Sequence, residues 1–173
     1  NKEYNWQKIC TVEDYYQEDF QMVLHEVLGN IPSFHRKQWE FVVIYLNLLK
    51  EGKLNKNAIG ASFGAGREPL IYLIAEKVKS FMATDLYVYN TGWKTAQVQK
   101  GISCLDFVLE SAPKGFNGRN LSVEEMDMRE LQMEDSSLDF CYSSCAFEHI
   151  GHKADFVQHL KEVKRVLKDD GVY

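Results

Sequence analysis

The chain has 173 residues, is 45% hydrophobic and carries a formal charge of -5 at neutral pH. That length supports one buried core in a single compact unit, and the acidic balance argues against a surface built to neutralise nucleic-acid phosphates. The longest apolar run, Phe41 to Leu49, is broken by Asn47 and falls short of the roughly 20 residues of a membrane span, while Cys10, Cys104, Cys141 and Cys145 follow no disulfide or zinc spacing and read as reduced, buried thiols of a cytoplasmic protein.

In chain order, residues 12–29 place apolar groups at helical spacing and stop at Gly29-Asn30, which predicts one helix with a glycine C-cap. A second helix follows Pro32-Ser33, with Ser33 as N-cap, and runs to Gly52. From Ala58 the period changes. Residues 58–63 predict a strand, residues 64–66 a glycine turn, and residues 68–77 a helix with Pro69 in its first turn, where a missing N–H costs nothing. Strands are predicted over 79–84 (ending at Asp85), 121–125 and 137–144, with helix-like residues 91–110 and a Pro, Gly and Asn-rich loop between the second and third. A last helix spans about 153–168 and stops at Asp-Asp-Gly. Strands alternating with helices imply an α/β fold, a Rossmann-like parallel sheet with helices on both faces. Tyr173 falls where a fifth strand begins, so the sheet is expected to be truncated after the fourth strand or at the start of the fifth. Residues 1–57 read as an N-terminal helical segment, an acceptor lid and cofactor cover, and 58–173 as the ligand-binding domain.

The stretch AIGASFGAGREPL, residues 58–70, holds the first chemistry. A dinucleotide fingerprint G-x-G-x-x-G read from Gly64 fails at Pro69, and a P-loop fails because Arg67-Glu68 follow Gly66 in place of Lys-Ser/Thr. What remains is a turn of small residues, Ser62 to Gly66, suited to an uncharged nucleoside against the backbone; bare turn glycines are the plainer alternative. Asp85 stands 19 residues beyond Gly66, near the offset at which a carboxylate accepts from both hydroxyls of a ribose. An acid capping its own turn is the simpler role.

Turn and acid together resemble the class I S-adenosylmethionine-dependent methyltransferases. The likeness continues through MDMRELQMEDSSLDFCYSSCAFEHIGHKADFVQHLKEVKRVLKDDGVY, with its acid after the third strand, its apolar fourth strand, its Glu-His-Ile segment and its closing Leu-Lys-x-x-Gly turn. The resemblance implies S-adenosyl-L-methionine as cofactor, with Ser62, Gly64 and Gly66 beneath its methionine and ribose. It further implies Asp85 and the adjacent Leu86 at the ribose, Asp127 at the adenine amino group and the Met128 N–H at the ring nitrogen. A looser resemblance, carried by HRKQWE, GASFGAGREPLIYLIA, ATDLY and TGW, is to a branch found beside glycosyltransferases. It implies a sugar hydroxyl of a glycan or another small polar molecule as acceptor, and fusion to or association with glycosyltransferase domains.

The chain departs from the family at Gly60, where most members carry an acid, and at Ser62, where most carry glycine. Glu68 is the candidate replacement near the cofactor's amino end, or else a favourable charge at a helix start. Arg36 suits a bidentate clamp on the cofactor's carboxylate, or a solvated helix face. His149, with Glu148 beside it, is the candidate base for an alcohol, though the pair is frequent in the family whatever the substrate. Glu148, His149, His152 and Asp155 match no established metal pattern, and no metal is expected. Trp39, Tyr87 and Trp93 read as core aromatics before sugar platforms. The expected function is methyl transfer to a hydroxyl. The alternatives are a non-catalytic regulatory module on the same fold and a nucleotide-dependent oxidoreductase.

Overall fold

The computed structural model describes residues 8–29, 31–88, 94 and 96–173. Strands β1 (Ile59–Phe63), β2 (Ser80–Asp85), β3 (Leu121–Glu125), β4 (Leu138–Tyr142) and β5 (Leu167–Val172) form one parallel sheet in the order β3-β2-β1-β4-β5. The chain reverses its direction of winding between β1 and β4, and the cleft outside their carboxyl ends is where such sheets take ligands.

Strand alternation explains the residues of β1. Ala61 and Phe63 face one side, where they meet Val163 and Val166 of helix α5 (Lys153–Val166). The other face carries Phe81, Phe140 and Tyr142 and is covered by helices α2 (Arg36–Lys50), α3 (Pro69–Ala75) and α4 (Cys104–Leu109) through Trp39, Ile71 and Phe107. Each such side chain, fully buried, contributes about 1.5–3 kcal/mol. Gly60 lies on this second face, and a Cβ there would stand 2.1 Å from Phe140 Cζ. The Phe140 ring, paired in register with Gly60 and stacked on Phe81, fills the space that an acid at position 60 would need.

The structure changes several predicted elements. Residues 12–29 form three short pieces: a 3-10 turn over Val12–Tyr16, helix α1 (Glu18–Met22) and a π turn over Val23–Val27. The break falls at Gln17, whose backbone is extended. It lies beside buried Asp14, whose carboxylate accepts from the Thr11 N–H, the Lys8 ammonium and the Trp39 indole at 2.7–3.0 Å. Trp39 is therefore a core residue. The N-cap of α2 is His35, whose Nδ1 accepts from the Lys37 N–H at 3.1 Å, because Phe34 takes a left-handed φ of 52° and separates Ser33 from the helix. Helix is found over 104–109 and not over the described residues of 96–103, and Trp93 lies outside the described residues.

The last helix stops at Val166, two residues earlier than expected, and a complete fifth strand follows. Leu167 pairs with Leu138 and Val172 with Phe140, so the intervening residues form an irregularity in the ladder. Lys168 Nζ donates to Asp139 Oδ1 at 2.8 Å and Lys53 Nζ to the Asp170 carbonyl at 2.7 Å, fixing that irregular segment. Aspartates and a glycine mask the strand in the sequence; the pairing with β4 creates it.

Candidate cofactor and acceptor site

A cavity of about 580 Å³ opens at the carboxyl ends of β1, β2, β3 and β4, under the first turn of α2, within the usual size of small-molecule sites, roughly 300–1,000 Å³. Gly64, Gly66, Glu68, Asp85, Leu86, Asp127, Met128, Arg36, Glu148 and His149 all line it. Ser62 does not reach it. It is wholly buried, on the same face of β1 as Gly60 and opposite Tyr142, and neither Ser62 Oγ nor Tyr142 OH has a hydrogen-bond partner among the described residues.

The floor is backbone. Gly64 and Gly66 take φ of 66° and 51°, a region costly for other residues, and a Cβ on Gly64 would stand 2.3 Å from Ala146 Cβ. Asp85 at the end of β2 fastens this turn: the Gly66 N–H donates to Oδ2 at 2.9 Å and the Leu86 N–H to Oδ1 at 2.7 Å. Burial raises the carboxyl's pKa, and these N–H groups, with that of Tyr87, pull it back. The carboxylate keeps lone-pair capacity for a ligand hydroxyl. Tyr87, buried at a left-handed φ of 42°, donates its OH to the Gly66 carbonyl at 2.8 Å, so it braces the turn from within the core.

Asp127 lies just beyond β3. Arg129 grips its carboxylate through Nε and Nη2 at 3.0 and 2.6 Å and holds its pKa below the usual range. Arg129 also reaches Asp155 Oδ1 at 3.0 Å, and the His152 N–H donates to Asp155 Oδ2 at 2.7 Å. Asp155 is thus a helix cap and ion-pair partner, and no group of three or more metal-ligating side chains is assembled among the described residues. The Met128 N–H makes no backbone hydrogen bond among the described residues. Its carbonyl accepts from Nδ1 of buried His159 at 2.8 Å, and His159 Nε2 accepts from Tyr173 OH at 2.9 Å. His159, whose pKa burial lowers, does not line the cavity but holds Met128 from behind, a contact the sequence does not reveal.

On the opposite wall, Arg36 Nη1 meets Glu40 Oε1 at 3.0 Å and Nη2 meets Glu148 Oε1 at 3.5 Å. Glu148 Oε1 lies 3.9 Å from His149 Nε2. Cys145, expected as a buried structural thiol, lines the cavity at a left-handed φ of 53° and donates its S–H to Glu40 Oε2 at 2.7 Å. Burial, with the hydrogen bond to Glu40, pushes this thiol up to about 11, so it stays protonated and a poor nucleophile. Of the cysteines expected to be buried, Cys141 is, at 1% exposed, while Cys10, Cys104 and Cys145 are only partly buried. Lys37, which sequence reasoning did not single out, reaches Glu68 Oε1 at 3.2 Å. Nothing in the local sequence couples those two residues.

A glycine turn, two strand-end acids and an open switch point define a nucleoside-binding α/β domain. The profile of the methyltransferase domain matches residues 62–173, and the chain belongs to that family. Membership implies S-adenosylmethionine as the cofactor. A comparison with curated proteins gave no match. Among solved structures, a Methanococcus maripaludis protein proposed as an S-adenosyl-L-methionine-dependent methyltransferase superposes with a TM-score of 0.56 at 15% identity, covering 93% of this chain and 58% of that one. An S-adenosylmethionine-dependent methyltransferase from Aquifex aeolicus gives 0.50 at 19% identity, covering 71% and 57%. The YcgJ protein of Bacillus subtilis gives 0.53 at 20%, covering 73% and 47%. These likenesses show a shared fold, and the chain spans about half the length of those proteins.

The residues present fit the cofactor. Two acids stand at successive strand ends, the turn between β1 and α3 offers bare backbone, and a buried carboxylate oxygen, Glu68 Oε2, has no partner among the described residues. Among the described residues no helix is long and apolar enough to cross a membrane.

Proposed function

We propose that this chain is the S-adenosylmethionine-binding domain of a methyltransferase acting on a hydroxyl of a small polar acceptor, a sugar or glycan. The observation that carries the first part is the convergence of Asp85, Asp127 and the Gly64–Gly66 turn on one cavity. Asp85 takes the ribose diol beside Leu86, Asp127 and the Met128 N–H take the adenine edge, and Glu68 serves the amino-acid end, with Arg36 in the cavity wall nearby. Residues 1–57 cover the site, a role supported by His35, Arg36 and Lys37 in its wall. The sugar acceptor rests on the sequence resemblance, as do an association with glycosyltransferase domains and a cytoplasmic setting. Four free cysteines are compatible with that setting.

When bound, the cofactor supplies an electrophilic methyl group. The protein's tasks are then to hold the acceptor in line and to exclude water. The His149 imidazole takes the proton that the hydroxyl loses, and the nearby Glu148 carboxylate steadies the resulting cation. Isothermal calorimetry with S-adenosylhomocysteine, with NAD in parallel, tests the reading. Micromolar binding of the former alone is expected, followed by methylation of free sugars in a radiolabel assay. Binding of NAD alone would replace the reading with an oxidoreductase, and binding of neither by folded protein would favour a regulatory module.

A further inference from the structure

The cavity contains one buried group that its own neighbours leave half satisfied. Glu68 is only 5% exposed and lines the cavity; Oε1 meets Lys37 Nζ at 3.2 Å, and Oε2 has no hydrogen-bond partner among the described residues. A buried carboxylate oxygen without a donor is costly, so its retention points to a donor that arrives with a ligand. Lys37 presents further N–H donors beside it. An acid and an ammonium side by side match one small chemical unit, the zwitterion of an α-amino acid, whose ammonium and carboxylate share a single carbon.

Elsewhere on the sheet the reason for this placement is visible. Position 60 admits no side chain because of the Phe140 ring, so an acid for the amino end must come from another element, and Glu68, the N-cap residue of α3, supplies it from above the turn. Arg36 is already shared between Glu40 and Glu148, which leaves Lys37 as the cation beside Glu68. We propose that Glu68 and Lys37 form a zwitterion clamp that holds the ammonium and carboxylate of the cofactor's amino-acid end. The proposal rests on the methyl-donor reading above.

A pH dependence accompanies the clamp, because Glu68 is buried with one oxygen unpartnered among the described residues. Burial is the main cause that pushes Glu68 up to about 8; Lys37 of α2 opposes it, while Glu40 of α2 and Asp85 of β2 add to it. Tyr142 of β4 and Tyr87 beyond β2 also face the group as neutral phenols. Below that pKa the empty clamp holds a proton, which a bound ammonium displaces. Affinity for an amino-acid-bearing ligand therefore rises as pH rises toward 8 and levels off beyond it.

The test compares S-adenosylhomocysteine with 5′-methylthioadenosine, which shares the nucleoside and lacks the amino acid, on this chain and its E68Q and K37M variants. E68Q resembles protonated Glu68 in shape, and thermal melting checks that both variants fold. S-adenosylhomocysteine should bind E68Q about 10- to 100-fold and K37M about tenfold more weakly, with methylthioadenosine changed by less than about threefold. For the unaltered chain, affinity for S-adenosylhomocysteine should rise by up to about tenfold per pH unit from about pH 6.5 to 8, with that for methylthioadenosine flat. Calorimetry in buffers of different ionisation heat should detect a proton released on binding, absent in E68Q. Equal losses for both ligands, or none, would overturn the clamp and leave the nucleoside site standing. Failure of the folded, unaltered chain to bind either ligand would overturn the methyl-donor reading and the clamp with it.

Discussion

The two walls of the cavity are built differently. On the β1–β2–β3 side the ligand-facing groups are backbone, or acids held by backbone or by one tight ion pair: Gly64 and Gly66 in left-handed turns, Asp85 bonded to two N–H groups, Asp127 gripped by Arg129. On the α2–β4 side they are long side chains that satisfy one another, Arg36 with Glu40 and Glu148, Cys145 with Glu40. The first wall is preorganised for a ligand of fixed shape. The second is held by ion pairs between long side chains, which can exchange partners, and in the proposed reading it serves the acceptor.

The largest effect expected from separating the walls is on turnover. His149→Ala should lower kcat by about 10²–10⁴-fold while leaving S-adenosylhomocysteine affinity unchanged; steady-state kinetics beside calorimetry reads both. Normal turnover would return His149 to a structural role. Next, Asp85→Ala should weaken S-adenosylhomocysteine binding by about 100-fold, since it removes the acceptor of the ribose diol and loosens the Gly66 turn. A loss confined to thermal stability, with affinity kept, would make Asp85 a turn fastener alone. The smallest effect is expected at Arg36, whose side chain is 62% exposed. Arg36→Ala should shift cofactor affinity by less than about threefold, because exposed ion pairs contribute about 1 kcal/mol or less. A loss of tenfold or more in calorimetry would move Arg36 to the preorganised wall as the clamp on the cofactor's carboxylate.

How much of this was legible in the sequence follows the same division. The turn, its flanking strand and helix, and the spacing to Asp85 and Asp127 are local requirements, met by residues whose φ, missing N–H or short acidic side chain has one common use. The first helix misled because its apolar spacing is helical while buried Asp14, satisfied by Lys8 and by Trp39 from α2, sets where it breaks. β5 was hidden because Lys-Asp-Asp-Gly has no strand pattern; its ladder with β4 and the contacts of Lys168 and Lys53 impose one.

By itself the sequence determined the parallel α/β class, the glycine turn and the strand-end acids, since each depends on backbone geometry within a few residues or on the strand-to-strand offset. Only the tertiary structure decided that Phe140 empties position 60, that Lys37 meets Glu68, that Cys145 faces Glu40, and that His159 links Met128 to Tyr173. Those are side-chain meetings across elements distant in the chain. Their partners are fixed by how sheet and helices pack, and no local pattern encodes them.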